Sequence, residues 1–343
     1  MEKYKNKGLT GLKNLGNTCF INSIIQCLLH TYELKEFLDD NDYKQKLSKT
    51  PDSKLLIEYD DLQKIMWSKN HIISPNKFLY EIQNISRIKK NELFTGYSQN
   101  DAIEFLTFLI ECFHNGLSRK VNITIKGKIE NEKDKLAKLC YERLKNMQEK
   151  EYSEIINIFY GIQVTQILDY QNSDNILSNS CDPFFMINLP IPTNKKNITI
   201  YDCFDLHTAK EELIDENGWK NDDGVKMDIY KYLLYWNLPK ILIIDLKRYN
   251  YTLRKNNSLI QFPLEELDLT KYVVGYNSNK FIYDCYGVCN HSGNNLGGHY
   301  TSFVKNQNGK WYLYNDTMVS EVKKNQVVSA KAYCLFYRLC EQK

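Results

Sequence analysis

The sequence predicts an α+β fold, and three observations carry that reading: apolar residues at helical spacing fill the first third of the chain, strand-like runs fill the last third, and no internal repeat or low-complexity linker separates them. From about Gly11 to Asn115 the pattern is helical, with Phe20, Ile24, Ile25 and Leu28 sharing one helix face and Ala102, Phe105, Leu106, Leu109 and Phe113 another. Leu117 to Ile158 is charged and weakly apolar, and Lys133–Glu151 reads there as an exposed helix whose mixed charges form a solvated face. From Phe159 to Leu238 the strand candidates are Gly161–Asp169 and Phe184–Leu189, set among polar loops such as Gln171–Asn175 and Asp215–Gly224. Pro239 to Leu339 is strand-rich: Ile241–Leu246, Phe281–Cys289, Tyr300–Lys305, Lys310–Tyr314 and Tyr333–Leu339 are β-branched, aromatic or alternating.

A chain of 343 residues, 43% hydrophobic, buries a sizeable core as one large domain or two ordinary ones. Its 45 basic and 42 acidic residues nearly balance, so neither a nucleic-acid stripe nor a polybasic membrane signal is expected. Met1 to Leu9 contains no apolar secretory core, and the longest apolar runs, such as Ile241–Ile244, are too short to span a bilayer. Ten scattered cysteines include no C-x-x-C pair, which predicts reduced thiols and a cytoplasmic or nuclear setting. Nothing in the pattern requires a dimer, so a monomer is expected.

The first candidate for chemistry is the run Gly11-Leu12-Lys13-Asn14-Leu15-Gly16-Asn17-Thr18-Cys19-Phe20. A Gly- and Asn-containing loop ends in a polar cap, and Cys19 opens an amphipathic helix. The free N–H groups of a helix N-terminus favour thiolate over thiol and can hold an oxyanion. An isolated cysteine is more often a small buried hydrophobe, as Cys27 on the same helix is expected to be. Position sets Cys19 apart, and it predicts an exposed thiolate of lowered pKa that mild peroxide inactivates.

The second candidate lies far downstream, in Gly297-Gly298-His299-Tyr300-Thr301 and Trp311-Tyr312-Leu313-Tyr314-Asn315-Asp316. Asn306-Gln307-Asn308-Gly309 between them is a hairpin turn signal. If Tyr300–Lys305 pairs with Lys310–Asn315, His299 and Asn315 meet at one end, where an amide can fix the imidazole tautomer for a nucleophile on another element. The glycines before His299 let backbone pass close to a substrate. His30, His71, His114, His207 and His291 have no comparable context and read as structural.

These segments resemble the ubiquitin-specific protease family. GLKNLGNTCFINSIIQCLL (Gly11–Leu29) is similar to its Cys box, and YDCYGVCNHSGNNLGGHYTSFV (Tyr283–Val304), with WYLYNDTMVSEV and AYCLFYRL after it, to its His box and closing strands. GYSQNDAIEFL (Gly96–Leu106) resembles its glutamine-aspartate motif and LPKILIIDLKRY (Leu238–Tyr249) its central strand. The resemblance implies a single catalytic domain over residues 8–343 with a papain-like fold. A helical thumb (about 11–115), a fingers and palm portion (about 159–238) and a palm carrying the His box (about 239–340) are expected. It implies a thiol-dependent deubiquitinase that cuts the peptide or isopeptide bond after ubiquitin's C-terminal glycine, with ubiquitin or ubiquitinated proteins as partners and no cofactor. By position, Cys19 is the nucleophile, His299 the general base, Asn315 the orienting residue with Asp316 sharing that role, and Asn14 the oxyanion donor. Gln99, Asp101, Gly297, Gly298 and Tyr300 are expected to line the substrate channel.

The chain also departs from the family pattern. Asp169, Asn172, Lys220 and Asp223 stand where many relatives carry zinc-binding cysteines, so no structural zinc is expected. Asn100 and Ile103 replace usual glutamines, and Ser292 a common tyrosine. Cys285 and Cys289, four apart in a strand, read as core residues on one face. Two other functions remain open: cleavage of a different ubiquitin-like modifier, and ubiquitin binding without catalysis. Retention of Cys19, His299, Asn315 and Asn14 argues against the second. A general papain-type peptidase fits poorly, because Cys19 and His299 lie some 280 residues apart.

Overall fold

The computed structural model describes residues 2–276, 281–294 and 297–340. The thumb holds α1 (Cys19–Leu29), α2 (Tyr32–Asp39), α3 (Asp52–Ser68), α4 (Asn76–Ile88) and α5 (Ala102–Leu117), with a short parallel pair of β1 (Gly11–Leu12) and β2 (Ile72–Ile73) at its edge. Every residue of α1 is buried, so the helix runs through the middle of the molecule rather than along its surface. It packs on α5 at one side and on the palm sheet at the other. Phe20, Phe105 and Phe94 meet there with edge and tilted ring contacts. Asp101 starts α5 as N-cap, accepting from the Ile103 and Glu104 N–H groups.

Two helices lead out of the thumb, α6 (Glu132–Glu151) and α7 (Glu154–Phe159). Helix α6 is mostly solvated, as its charge pattern predicts; Ala137 and Cys140 are its buried residues. The fingers follow as β3 (Gly161–Asp169) and β4 (Ile176–Phe184); then come β5 (Met186–Leu189), β6 (Ile198–Thr199), α8 (Ile200–His207), β7 (Glu211–Leu213), β8 (Trp219–Lys220), β9 (Lys226–Met227) and β10 (Ile229–Asn237). Strands β4, β3, β10 and β7 form the fingers sheet in that order, with β4 at its edge. Asp169 and Asn172 lie at the β3–β4 turn and Lys220 and Asp223 at the β8–β9 hairpin. The Asp169 carboxylate accepts from the Gln171 N–H, and the four positions supply no thiol or imidazole for a zinc ion.

The palm is built from β11 (Ile241–Leu246), β12 (Ile260–Gln261), β13 (Leu267–Asp268), β14 (Ile282–Asn294), β15 (Gly297–Lys305), β16 (Trp311–Asn315), β17 (Met318–Val322) and β18 (Ala332–Leu339). Its sheet runs β17-β16-β15-β14-β18-β11-β5, with β13 on the side of β14. One face packs on the thumb, and the other covers a second core around Leu242, Ile244, Val288, Leu335 and Tyr337. Strand β14 is longer than its sequence pattern suggests, and its register against β18 shifts between Cys285 and Gly287. That bulge separates the two cysteines: Cys285 joins the second core and Cys289 the thumb-facing one. The expectation that they share a face fails for this reason. Asn295 and Leu296 of the His-box run lie outside the described residues.

Candidate active site

The loop before α1 is shaped by its own polar side chains. Asn14 Oδ1 accepts from the N–H groups of Gly16, at 3.2 Å, and Thr18, at 3.0 Å. Gly16 and Asn17 take positive φ values of 99° and 57°, which glycine and asparagine tolerate best. Thr18, although N-cap by position, spends its hydroxyl on the Leu15 N–H at 2.9 Å instead of capping the helix. The first N–H groups of α1 therefore stay open toward the Cys19 sulfur.

Cys19 is 1% exposed, on a helix that packs against the palm. Burial pushes the Cys19 thiol up from its ordinary value, the backbone N–H groups of Tyr300, Phe20 and Cys19 itself pull it back, and the nearby Asp316 carboxylate adds to the rise. The exposed, acidic thiolate expected from the sequence is thus corrected: removal of Cys19 from water outweighs the helix terminus. Helix α1 packs against β15, which brings Cys19 and the His299–Tyr300 segment together from the two ends of the chain.

His299 is half-buried on β15, and the Asn306–Gly309 turn returns the chain along β16 as the hairpin signal requires. The His299 Nε2–H donates to Asn315 Oδ1 at 2.6 Å, which leaves Nδ1 as the nitrogen with a lone pair. Asp316 is placed differently from the orienting role expected for it. One of its oxygens accepts from Asn22 Nδ2 at 2.7 Å and the other from Asn14 Nδ2 at 3.1 Å. The carboxylate thereby ties the loop before α1 to the β16–β17 turn, across some 300 residues of sequence. Gly11 permits the same approach: a Cβ there would stand 2.3 Å from the Thr317 carbonyl oxygen.

A cleft of about 490 Å³ is lined by Gln99, Asn100, Asp101, Glu104, Tyr249, Leu253, His291, Asn294, Gly297, Gly298 and Tyr300, the last three on the strand that carries His299. All five residues expected to line a channel are in it. Gln99 bonds the Gly298 backbone on both sides, accepting from its N–H at 2.9 Å and donating to its carbonyl, so the side chain acts as a strand partner and narrows the cleft. A Cβ at Gly297 would stand 2.7 Å from Gln99 Oε1, and one at Gly298 only 2.4 Å from the Ser292 carbonyl oxygen. Asp101 and Tyr300 form the floor: one Asp101 oxygen accepts from Tyr300 Oη at 3.3 Å and from Tyr333 Oη at 2.5 Å.

Sequence reasoning passed over His291 and Asn22. His291 stacks on Tyr300 with ring centroids 4.5 Å apart, and Lys255 Nζ donates to its Nδ1 at 2.9 Å. Burial, with the Lys255 charge second, lowers its pKa to about 4, so it is a neutral wall of the cleft. Asn22 was detectable as one of three polar residues in a mostly apolar helix, one turn from Cys19.

A buried cysteine at the start of a helix, packed on the sheet strand that carries a hydrogen-bonded histidine–asparagine pair, is the arrangement of a papain-like cysteine hydrolase, and the thumb, palm and fingers complete that fold. The chain belongs to the ubiquitin carboxyl-terminal hydrolase family, whose model matches residues 10–337. Among curated relatives, human ubiquitin carboxyl-terminal hydrolase 2 is 35% identical over 350 residues, covering 97% of this chain and 55% of the relative. Human ubiquitin carboxyl-terminal hydrolase 21 is 33% identical over 365 residues, covering 98% of this chain and 62% of the relative. The chain thus spans little more than half the length of these relatives. Among solved structures, the SAGA DUB module of Ubp8, Sgf11, Sus1 and Sgf73 bound to monoubiquitin superposes with a TM-score of 0.75 at 26% identity, covering 100% of this chain and 71% of that one. The same module bound to ubiquitin aldehyde gives 0.76 at 25% identity, covering 99% of this chain and 71% of that one.

Proposed function

We propose that this chain is a deubiquitinase that hydrolyses the bond after ubiquitin's C-terminal glycine. The observation that carries the reading is the His299–Asn315 bond at 2.6 Å on the strand against which the helix headed by Cys19 packs. The similar structures bound to monoubiquitin and to ubiquitin aldehyde support ubiquitin as the partner.

His299 Nδ1 takes the Cys19 proton as the sulfur attacks the glycine carbonyl carbon. Charge on the carbonyl oxygen is met by the open N–H groups of α1 and by Asn14, whose amide carries two N–H bonds and gives only one to Asp316. His299 then returns the proton to the leaving amine, and a thioester remains on Cys19. Water deprotonated by His299 hydrolyses it, freeing the ubiquitin carboxylate and the thiol. Burial pushes the Cys19 thiol up, which favours transfer of its proton to His299 as part of the attack. The cleft walls at Gly297 and Gly298 suit a substrate tail without side chains, which selects a Gly-Gly end. The chain acts as a monomer without nucleic acid, and ten free cysteines, nine of them buried, support a cytoplasmic or nuclear setting.

Ubiquitin carrying a thiol-reactive group at its C-terminus tests the reading. One covalent ubiquitin per chain is expected, and none on Cys19→Ala. Adduct formation only with a different modifier, or none with folded protein, overturns it.

A further inference from the structure

Outside the cleft, one pair of side chains has chemistry that the hydrolase reaction does not use. Cys140 of α6 and Cys181 of the edge strand β4 bring their sulfurs to 2.9 Å, the one pair of cysteine sulfurs within hydrogen-bonding distance among the described residues. Disulfide formation needs about 2.05 Å, so the sulfurs close by a shift of under about 1 Å. Both are buried, Cys140 fully and Cys181 at 4% exposure, in a small apolar cluster with Ala137, Ile162, Val164 and Trp236. This cluster holds an otherwise solvated helix against the fingers. Around it the attachment is polar and exposed: Arg143 pairs with Asp182 at 3.2 Å, and Tyr276 donates to Asp134.

We infer that Cys140 and Cys181 form a reversible dithiol–disulfide couple that clamps α6 to the edge of the fingers sheet under oxidation. Either sulfur can be the donor in their contact. Cys181 is the less buried of the two, at 4% exposure, and lies on the edge strand next to the Arg143–Asp182 pair, so it is the thiol an oxidant meets first. With a peroxide as oxidant, the Cys181 thiolate takes one oxygen and becomes a sulfenic acid while the peroxide's other oxygen leaves as hydroxide. The Cys140 sulfur attacks that sulfenic sulfur, expels hydroxide and gives up its own proton. In sum, two thiols and one hydrogen peroxide become one disulfide and two waters. A thiol reductant reverses the change by exchange. Short-lived disulfides of this kind are compatible with a reducing compartment, where they serve sensing rather than architecture.

The chain with Cys19→Ala, which removes the cleft thiol from the chemistry, is treated with mild hydrogen peroxide, alkylated in denaturant and mapped as unreduced peptides. The expected result is a Cys140–Cys181 cross-linked peptide about 2 Da lighter than its two halves, two fewer alkylatable thiols, and a Tm about 5 °C higher that dithiothreitol reverses. Adding Cys140→Ala or Cys181→Ala abolishes the cross-link and the Tm shift. If either variant fails to fold, the peptide map of the Cys19→Ala chain still decides. Full alkylation of both thiols after oxidation, an isolated sulfenic acid on Cys181, or a cross-link to another cysteine overturns the couple.

Discussion

Asp316→Asn separates two roles for an acidic residue beside the histidine's partner. In the structure the carboxylate holds Asn22 at 2.7 Å and Asn14 at 3.1 Å, and among the described residues Asn315 is the side chain that holds His299. An asparagine keeps the positive φ of 50° at this position without strain. Its single oxygen can accept from one of the two amides, and its NH₂ then confronts the other. Hydrogen bonds to a charged group contribute about 1.5–3 kcal/mol, so loss of the Asn14 anchor removes about 2 kcal/mol from oxyanion positioning. That corresponds to a fall of about 30-fold in kcat. KM for a fluorogenic ubiquitin substrate holds, because the cleft walls are untouched. The same substitution removes the negative charge that pushes the Cys19 thiol up, so the pKa for its alkylation falls relative to the parent chain. A pH profile of kcat/KM moved through the histidine range, with Cys19 alkylation unmoved, would refute this reasoning and return Asp316 to orienting His299.

Three further substitutions test other parts of the structure. Asn315→Ala frees the imidazole and is expected to lower kcat about 100-fold while the affinity of the Cys19→Ala chain for ubiquitin is unchanged; Asn315→Asp restores most of the rate, read in the same kinetic assay. Gly11→Ala drives a Cβ to within 2.3 Å of the Thr317 carbonyl oxygen and is expected to cost about 2 kcal/mol in denaturant titration, with activity falling because the Asn14 loop docks there. Burial, and then the Asp101 charge, push the pKa of Asp245 on β11 up to about 7, while Lys247 pulls it down. A carboxyl that holds its proton more tightly when folded favours the native state below its ordinary range and loses that benefit as pH rises through 7. The shift sets a ceiling of about 4 kcal/mol, which partial solvent access cuts to about 2. Thermal melts are therefore expected to show the parent losing stability between pH 5 and about 8 relative to Asp245→Asn, and parallel curves would remove Asp245 from this role.

The sequence by itself determined what depends on near neighbours. Helical spacing placed α1 and α5, the Asn306–Gly309 turn returned β16 along β15, and His299 and Asn315 came to one end because hairpin register follows from turn length. Cys19 at the head of α1 is likewise local, as is the solvated face of α6. Tertiary structure decided the rest, because burial and charge depend on what arrives from elsewhere. The palm closes over Cys19, and burial pushes its thiol up where the helix terminus alone was expected to pull it down. Asp316 leaves its neighbour His299 for two amides some 300 residues away, a choice set by how the thumb meets the β16–β17 turn. A bulge sends Cys285 and Cys289 to opposite faces, since one extra residue inverts a period of two. The Cys140–Cys181 pair exists only because α6 lies on β4. Periodicity fixes which way a side chain points within its own element, and only packing fixes what it meets there.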